Sequence, residues 1–334
     1  FTSNPAVEVA NDLTITNGTL TSTSHASGLI VTGNYSNAGT FTHNSGTVIF
    51  NATDAGNTLA GTLSGTSSFY NLTFSGASGA WSFTSNPAVT IANALSISNG
   101  TVTATSGTTT IGGNFTKTAG TFTHNSGTVV FNDNTKVSTL TYNADTTFSA
   151  FTVSTASKQM KFDNVDKTTV AGTFTINGAA CGTFIQLYSD STGNQFDIDL
   201  QGTVSIDYAD IKDSNAITAA TANSSNNSLN NTNWTINGGG CNTAPNAPTS
   251  LAQKTTGDVV IVTGGWNNTT SIKFTATGDD PNNPDTIYLC VEYQQLGTGF
   301  TNTETGCGTG VAYSGTPVTV TVTLNSIPDA FEYH

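Results

Sequence analysis

The chain has no arginine and few charged residues of any kind. Its 334 residues include 8 lysines and 21 acidic residues, the formal net charge is −13, and charged residues make up 9% of the sequence. Ordinary soluble domains contain about 25%. Nucleic acids and anionic membrane surfaces both attract basic protein faces. The composition therefore argues against nucleic acid as a partner, and it is compatible with cations and neutral glycans.

Long apolar runs and helix-forming segments are also missing. No stretch approaches the roughly 20 apolar residues of a membrane-spanning helix, so we expect no direct membrane insertion of this segment. Thr, Ser, Asn and Gly dominate, and these residues disfavour helices because they compete for backbone hydrogen bonds or are conformationally too free. Within residues 1–132 the charged residues are Glu8, Asp12, Asp54 and Lys117. Uncharged polar side chains on β structure must therefore provide solubility there.

The cysteines number only four: Cys181, Cys241, Cys290 and Cys307. None forms a CxxC pair, which argues against a zinc site. An even number in a chain rich in Thr and Asn is typical of an oxidising, extracellular setting. We expect Cys290 to pair with Cys307, since both lie in the last segment, which leaves Cys181 to pair with Cys241. Buried free thiols are the alternative.

An internal repeat is the most informative feature that the chain does have. The segment FTSNPAV at residues 1–7 returns at residues 83–89, and TFTHNSGTVIFN at residues 40–51 returns at 121–132 with a single change, Ile49 to Val130. The offsets are 82 and 81 residues. Active sites are usually built once, whereas units copied in tandem add length, surface or multivalency. The repeat therefore favours a structural or binding protein over an enzyme.

Short alternating segments separated by Asn-Gly or Gly-Asn pairs predict an all-β fold. Asn-Gly is also a hairpin signal, so an antiparallel meander, barrel or propeller competes with a parallel β-solenoid. We favour the solenoid (a right-handed β-helix), because the segments are very short and related phrases recur at steps of about twenty residues, close to one coil. The repeat unit would then span about four coils.

The expected domain organisation has three parts. Residues 1–237 form the β-helix, with two near-identical repeats and a divergent third segment that acts as a cap. Residues 238–248, rich in Gly, Asn and Pro, are a linker. Residues 249–334 contain longer strands, among them a single strand across residues 286–293, which are split by turn clusters. This pattern is typical of an immunoglobulin-like or fibronectin-like β-sandwich, which we expect to be truncated.

Three stretches resemble parts of large, repeat-rich secreted bacterial surface proteins. GTFTHNSGTV at residues 39–48 resembles their tandem β-helix units. YADIKDS at 208–214, with NSSNNSLNNTNW at 223–234, is similar to the closing coils of right-handed β-helices. PTSL at 248–251, with ATGDDP at 276–281, resembles the Ig-like modules appended to them. The resemblance implies an adhesin-like or surface-layer role and transfers no catalytic residue.

Candidate chemical sites are few, and we assign no catalytic residue. Asp197 and Asp199 alternate on one strand, where the interpretations are solvent-facing acids on a cap, a calcium site or a glycosidase pair. Asp279, Asp280 and Asp285 crowd one loop and are a second calcium candidate, against a plain Asp/Asn turn. His43 and His124 occupy equivalent positions in the two repeats, and we expect them to face outward in ladders, too far apart to share a metal.

Three functional hypotheses follow. The first is an extracellular cell-surface protein in which the solenoid is a stiff stalk or a self-assembling filament or layer subunit, with self-association or other surface proteins and glycans as partners. The second is a glycan-binding or glycan-degrading β-helix with an Asp-lined and aromatic groove from Asp190 onward. The third is ice binding through Thr-x-Thr arrays. The chain opens inside a repeat and stops at residues 331–334 in what reads as a strand, so we expect it to be a piece of a longer precursor.

Overall fold

Alternating segments become strands throughout both parts of the chain. The structure, a computed structural model, describes residues 4–238, 245–280 and 286–328. These residues fall into two units that divide between residues 238 and 245. The strands of the N-terminal unit are β1 (Val7–Val9), β2 (Leu13–Ile15), β3 (Thr19–Thr21), β4 (Leu29–Val31), β5 (Tyr35–Asn37), β6 (Thr40–Thr42), β7 (Thr47–Phe50), β8 (Asn57–Gly61), β9 (Asn71–Phe74), β10 (Ala80–Phe83), β11 (Val89–Ile91), β12 (Leu95–Ile97), β13 (Thr101–Thr103), β14 (Thr108–Ile111), β15 (Phe115–Lys117), β16 (Thr121–Thr123), β17 (Thr128–Phe131), β18 (Val137–Tyr142), β19 (Thr146–Phe148), β20 (Ala150–Val153), β21 (Gln159–Phe162), β22 (Thr168–Val170), β23 (Phe174–Asn177), β24 (Ile185–Ser189), β25 (Phe196–Leu200), β26 (Val204–Asp207), β27 (Ala209–Lys212), β28 (Ser214–Ala222), β29 (Asn226–Asn227) and β30 (Asn231–Ile236).

The strands of this unit stack into a solenoid with three faces. The first face is an eleven-stranded sheet, with the order β1-β4-β7-β9-β12-β15-β18-β21-β24-β27-β29. The second face contains β2-β5-β8-β10-β13-β16 and continues as β19-β22-β25-β28-β30. The third face contains β3-β6, a 3₁₀ turn at Gly65–Ser67, and β11-β14-β17-β20-β23-β26. Neighbouring strands on all three faces are parallel, which confirms the predicted solenoid and excludes a meander for the described residues.

One continuous core runs along the inside of the coils. Inward residues stack on residues of the next coil. Phe50 stacks on its register partner Phe74 with 5.5 Å between ring centroids, and Phe162 stacks on Phe196, which lies on the adjoining face, with 4.6 Å. Burial of each such side chain stabilises the fold by about 1.5–3 kcal/mol. Each coil covers its neighbour, so the core is long but only one coil wide.

The repeat unit, which the sequence predicted to span about four coils, spans about three and two-thirds. In the long sheet the four coil steps from Val7 to Leu95 take 88 residues, more than the repeat offset of 82. The second copy is consequently rotated by one face. The strands β1, β4 and β7 lie on the first face, whereas their counterparts β11, β14 and β17 lie on the third. Rotation is tolerated because all three faces are built from the same short strand and corner.

Local contacts survive this rotation. Thr23 Oγ1 donates to Pro5 O at 2.8 Å, and its counterpart Thr105 Oγ1 donates to Pro87 O at 2.8 Å. Gly46 closes a corner at which an added Cβ would lie 1.9 Å from the Thr23 carbonyl oxygen, so any larger side chain would collide with the preceding coil. The repeat therefore preserves corners and coil contacts, not a particular face.

The histidines cap corner turns rather than forming ladders, which corrects the prediction for His43 and His124. Ser45 N donates to His43 Nδ1 at 2.9 Å, and Ser126 N donates to His124 Nδ1 at 3.1 Å. His25 accepts from Ser27 N in the same way, at 3.1 Å. The shared pattern His-x-Ser-Gly is thus a turn motif, in which an imidazole nitrogen satisfies a backbone N–H that the turn would leave free.

Buried polar side chains interrupt the core at one equivalent position of each copy. Asn37 donates through Nδ2 to Thr62 O at 2.9 Å, and Lys117 donates through Nζ to Ala144 O at 3.1 Å. Both side chains are almost fully buried. Each side chain reaches a corner carbonyl of the following coil. Two different residue types therefore donate to equivalent backbone carbonyls in the two copies.

The last coil of the solenoid carries mostly polar side chains. Asn230 Nδ2 donates to Asp213 Oδ1 at 2.8 Å, and Asn231 Nδ2 donates to Ile211 O at 2.7 Å. Behind them Trp234 packs partly buried against the core, and its Nε1 donates to Ser214 Oγ at 3.0 Å. These asparagines provide the polar outer layer expected of a divergent terminal repeat.

The C-terminal unit is antiparallel. Its strands are β31 (Thr249–Lys254), β32 (Val260–Ile261), β33 (Ile272–Gly278), β34 (Thr286–Ile287), β35 (Cys290–Val291), β36 (Gly306–Cys307), β37 (Val311–Ala312) and β38 (Val318–Leu324). The sheet β32-β31-β33-β38 packs its apolar side against residues of the ladders β34-β37 and β35-β36 and their loops, as expected for a β-sandwich. The single strand predicted across residues 286–293 is two short strands instead.

Cys290 and Cys307 are disulfide-bonded across β35 and β36, which is the pairing that the sequence predicted. Cys181 is also disulfide-bonded, and the residues described contain no free cysteine. Cys241 lies outside the described residues, so its pairing with Cys181 stays a prediction.

Candidate ligand-binding face

Strands β21, β24, β27 and β29 place two columns of polar side chains on the outside of the first face. Met160, Leu187 and Ile211 point into the core and are buried, so the residues that alternate with them face outward. The strand register aligns Gln159, Gln186, Asp210 and Asn226 in one column, and Lys161, Tyr188 and Lys212 in the other. We call these seven residues the polar ladder.

Asp210 and Tyr188 are locked together in this ladder. The Tyr188 hydroxyl donates to one carboxylate oxygen of Asp210, and Ser228 Oγ donates to the other at 2.5 Å. Tyr188 and Asp210 lie on neighbouring strands and in different columns, so the ring lies diagonally across the sheet instead of pointing away from it. Burial, together with the bond to Asp210, raises the pKa of Tyr188. The phenol is therefore neutral and fixed in position.

Lys161 and Lys212 differ from the other lysines of the solenoid. Lys117, Lys136 and Lys158 donate hydrogen bonds to protein oxygen atoms, and Lys167 forms an ion pair with Asp145 at 3.7 Å. Lys161 and Lys212 make no hydrogen bond or ion pair with any residue of the described ranges. Their ammonium charges act only by Coulombic attraction, on Asp190 and Asp213 respectively. Both donors are thus available at the surface.

The amides of the ladder are similarly unengaged. Gln195 donates to Asn230 O at 2.8 Å, and Gln201 donates to Asp199 Oδ2 at 2.9 Å. The side chains of Gln159, Gln186 and Asn226 have no such partner within the part of the chain that the structure describes. Because adjacent strands are about 4.8 Å apart, the face presents unsatisfied hydrogen-bonding groups at a regular spacing.

Asp197 and Asp199 lie on the second face, on the same side of β25, and not on the polar ladder. Asn215 Nδ2 donates to Asp197 Oδ1 at 2.9 Å, and Thr218 Oγ1 donates to Asp199 Oδ1 at 2.9 Å. Asp199 is buried beneath the bulge that follows Asn215 in β28. Amide and hydroxyl donors surround the two carboxylates, which is a structural hydrogen-bonding arrangement. Whether they bind calcium stays a prediction.

The Asp279 carboxylate links Asn246, near the start of the C-terminal unit, to Tyr313 through hydrogen bonds. Tyr313 OH donates to its Oδ1 at 2.7 Å, and Asn246 Nδ2 donates to its Oδ2 at 3.0 Å. The bond from Tyr313, followed by that from Asn246, lowers the pKa of Asp279. Asp280 is buried beside it, and Asp285 lies outside the described residues. Across the described ranges, the structure brings no three His, Cys, Asp or Glu side chains together in an arrangement that could hold a metal ion.

A further acidic region, at the corner between the first and second faces, is also structural. Asp163 is buried and accepts hydrogen bonds from Tyr142 N at 2.7 Å and from Val165 N at 2.8 Å. Burial, with the charges of Asp163 and Asp145, raises the pKa of Asp166. Burial lowers the pKa of nearby Lys117, against the attraction of Asp166 and Asp145. Both oxygen atoms of Asp163 therefore accept backbone hydrogen bonds that hold the corner together.

Comparison with protein-family models, with curated proteins and with solved structures finds no match to this chain. Among the described residues, none of the helical structure is long and apolar enough to cross a membrane. The function must therefore be inferred from the geometry of the solenoid and its faces.

Sequence reasoning missed the polar ladder. It predicted an Asp-lined and aromatic groove from Asp190 onward, but it did not align Asp210 with Gln186 or Tyr188 with Lys161. The separations along the column Gln159, Gln186 and Asp210 are 27 and 24 residues, so coil length varies too much for a fixed period to predict the register. Lys158, which has no acidic neighbour in sequence, lies instead among buried backbone carbonyls.

Proposed function

We propose that this chain is a segment of an extracellular surface protein in which the solenoid is a stiff stalk and the β-sandwich is a joint or contact module. The continuous core and the sheets along its length support this proposal. Backbone hydrogen bonds between parallel strands run along the axis, so bending the rod would strain all three faces together. A stalk of this kind holds another part of the protein away from the cell.

The rotation of the repeat is the observation that carries the proposal. His43 follows a strand of the third face, β6, whereas His124 follows a strand of the second face, β16. Two copies of one binding site would need equivalent residues on the same side of the rod. The near-identical copies instead turn equivalent residues in different directions while preserving contacts between coils. Such a duplication therefore adds length to the solenoid.

The same rotation favours the stalk over ice binding. Thr40 and Thr42 lie on the third face, whereas their counterparts Thr121 and Thr123 lie on the second. The threonine hydroxyls of the two copies therefore do not extend one flat array, which an ordered ice surface would require.

Electron microscopy of the purified chain, together with surface labelling of the cells that produce the parent protein, tests the stalk. We expect rods of uniform width, and labelling of the protein on intact cells. Assembly end to end through the edges of terminal coils would appear as a regular axial repeat, since unpaired strand edges readily accept further strands. A flexible, rounded particle, or a protein protected from labelling until the cells are lysed, would contradict the proposal.

A further inference from the structure

We propose that the polar ladder binds a linear, uncharged polysaccharide whose chain runs along the solenoid axis. The ladder consists of Gln159, Lys161, Gln186, Tyr188, Asp210, Lys212 and Asn226. The proposal is independent of the stalk function, because it concerns one face of the divergent third segment and not the duplicated units.

The spacing of the ladder fits a sugar chain. Successive strands are about 4.8 Å apart, which is close to the rise of one pyranose ring in an extended polysaccharide. Each step along the axis therefore offers the next sugar a fresh pair of side chains. Five of these groups, two ammonium and three amide, are not hydrogen-bonded within the described residues. Sugar hydroxyls both donate and accept, so they can satisfy the amides as well as the ammonium groups.

Tyr188 supplies an apolar platform at the centre of its column. Its hydroxyl is bonded to Asp210, so the ring is fixed across the sheet and the side chain remains partly exposed. The negative face of an aromatic ring attracts the weakly positive C–H groups on the flat side of a pyranose. A ring already held in place loses little conformational entropy when a ligand packs against it.

The charges of the ladder favour an uncharged polymer over a polyanion. Lys161 and Lys212 are balanced locally by Asp190, Asp210 and Asp213, and the whole chain carries a net charge of −13. A uronic or sulfated chain would meet repulsion from these carboxylates and from the rest of the protein. Hydroxyl groups would meet no such repulsion.

Affinity electrophoresis of the intact chain tests the inference, with soluble xyloglucan, mixed-linkage β-glucan, laminarin and galactomannan as neutral probes and polygalacturonate as the charged comparison. We expect retardation by at least one neutral polymer and none by polygalacturonate. Lack of retardation by every neutral polymer, or stronger retardation by polygalacturonate, would overturn the proposal.

Variants then locate the site. Tyr188→Ala should weaken binding at least ten-fold. Tyr188→Phe keeps the ring but loses the bond to Asp210 that holds it in place, so it should weaken binding less than Tyr188→Ala does. Gln186→Ala should weaken binding several-fold.

Tyr70→Ala and Gln201→Ala, which remove the same residue types away from the ladder, should bind like the unmodified chain. Thermal unfolding of each variant separates a lost contact from a lost fold. If Tyr70→Ala weakened binding as much as Tyr188→Ala, or if folded Tyr188→Ala bound normally, the ladder would not be the site.

Discussion

Tyr35 and Phe115 are equivalent residues of the two repeats, yet they lie in different sheets of the solenoid. Each follows a Gly-Asn pair, Gly33-Asn34 or Gly113-Asn114. Tyr35 belongs to β5 on the second face, and Phe115 belongs to β15 on the first. Both rings are fully buried. The Tyr35 hydroxyl has no hydrogen-bond partner within the described structure, and burial raises its pKa. Phe115 has no hydroxyl, so the second copy has no unsatisfied group at the equivalent position.

Tyr35→Phe should therefore raise the free energy of unfolding by about 1 kcal/mol, because an unsatisfied buried hydroxyl costs about 1–3 kcal/mol. Denaturant unfolding monitored by circular dichroism measures the change. Tyr142→Phe is the matched control, since Thr168 Oγ1 donates to the Tyr142 hydroxyl at 3.4 Å. It should give no gain. Equal stabilisation by both substitutions would argue that the hydroxyl partner is irrelevant.

Lys158→Ala should lower the free energy of unfolding by about 3 kcal/mol, because buried carbonyls that lose their donor cost about 1–3 kcal/mol each. Lys158 Nζ donates to Gly112 O at 3.2 Å, Asp133 O at 2.7 Å and Lys136 O at 2.8 Å, and so joins successive coils. Lys161→Ala, on the outer face of β21, the strand that follows Lys158, is the control and should change stability by less than about 0.5 kcal/mol. Similar losses for the two variants would contradict this role.

Stability should rise with pH between about 8 and 10 and fall above that range. Burial lowers the pKa of Lys158 to about 8, so between pH 8 and the ordinary lysine pKa the unfolded chain binds more protons than the folded one. Burial raises the pKa of Tyr35 and Tyr142, so above about pH 10 the unfolded chain loses phenolic protons that the folded chain keeps. Unfolding midpoints measured at several pH values test this profile. Lys158→Ala should reduce the rise and leave the fall, and the remaining rise comes from Lys117, whose pKa burial also lowers.

Inserting a further copy of residues 1–82 between residues 82 and 83 should lengthen the rod and leave it folded. The insert reproduces the natural junction and adds about three and two-thirds coils, which corresponds to ~18 Å at about 4.8 Å per coil. Small-angle scattering or electron microscopy measures the length. A scrambled insert of equal composition should instead separate two shorter folded parts. An unchanged length with the true repeat would contradict the stalk.

Replacing Cys290 and Cys307 with serine should destabilise the C-terminal unit and spare the solenoid. The bridge closes a loop of 17 residues, for which the chain-entropy model gives about 3 kcal/mol. Calorimetry should show the transition of this unit moving to lower temperature, while the transition of the solenoid stays in place. A shift of both transitions would mean that the two units unfold together.

Much of the fold could be predicted because it depends on patterns among residues that are close together in the sequence. Alternation in segments such as residues 47–50 predicts short strands, and the repeated Gly-Thr-x-Thr phrases at residues 18–21 and 39–42 predict consecutive coils. The register pairs Thr19 with Thr40 and Leu20 with Phe41, as this reading requires. The long strand expected at 286–293 was wrong because alternation alone does not detect the break between Ile287 and Cys290.

The amino-acid sequence by itself determined that the chain is all-β, that it stacks in parallel coils, and that Cys290 bonds to Cys307, because these features depend on neighbours in sequence or on a short loop. Only the tertiary structure decided which face each residue occupies. Coil lengths vary, and the repeat is not a whole number of coils. Small differences in corner length therefore accumulate, and they turn Thr42 and Thr123 to different sides while bringing Lys161, Tyr188 and Lys212 into one column.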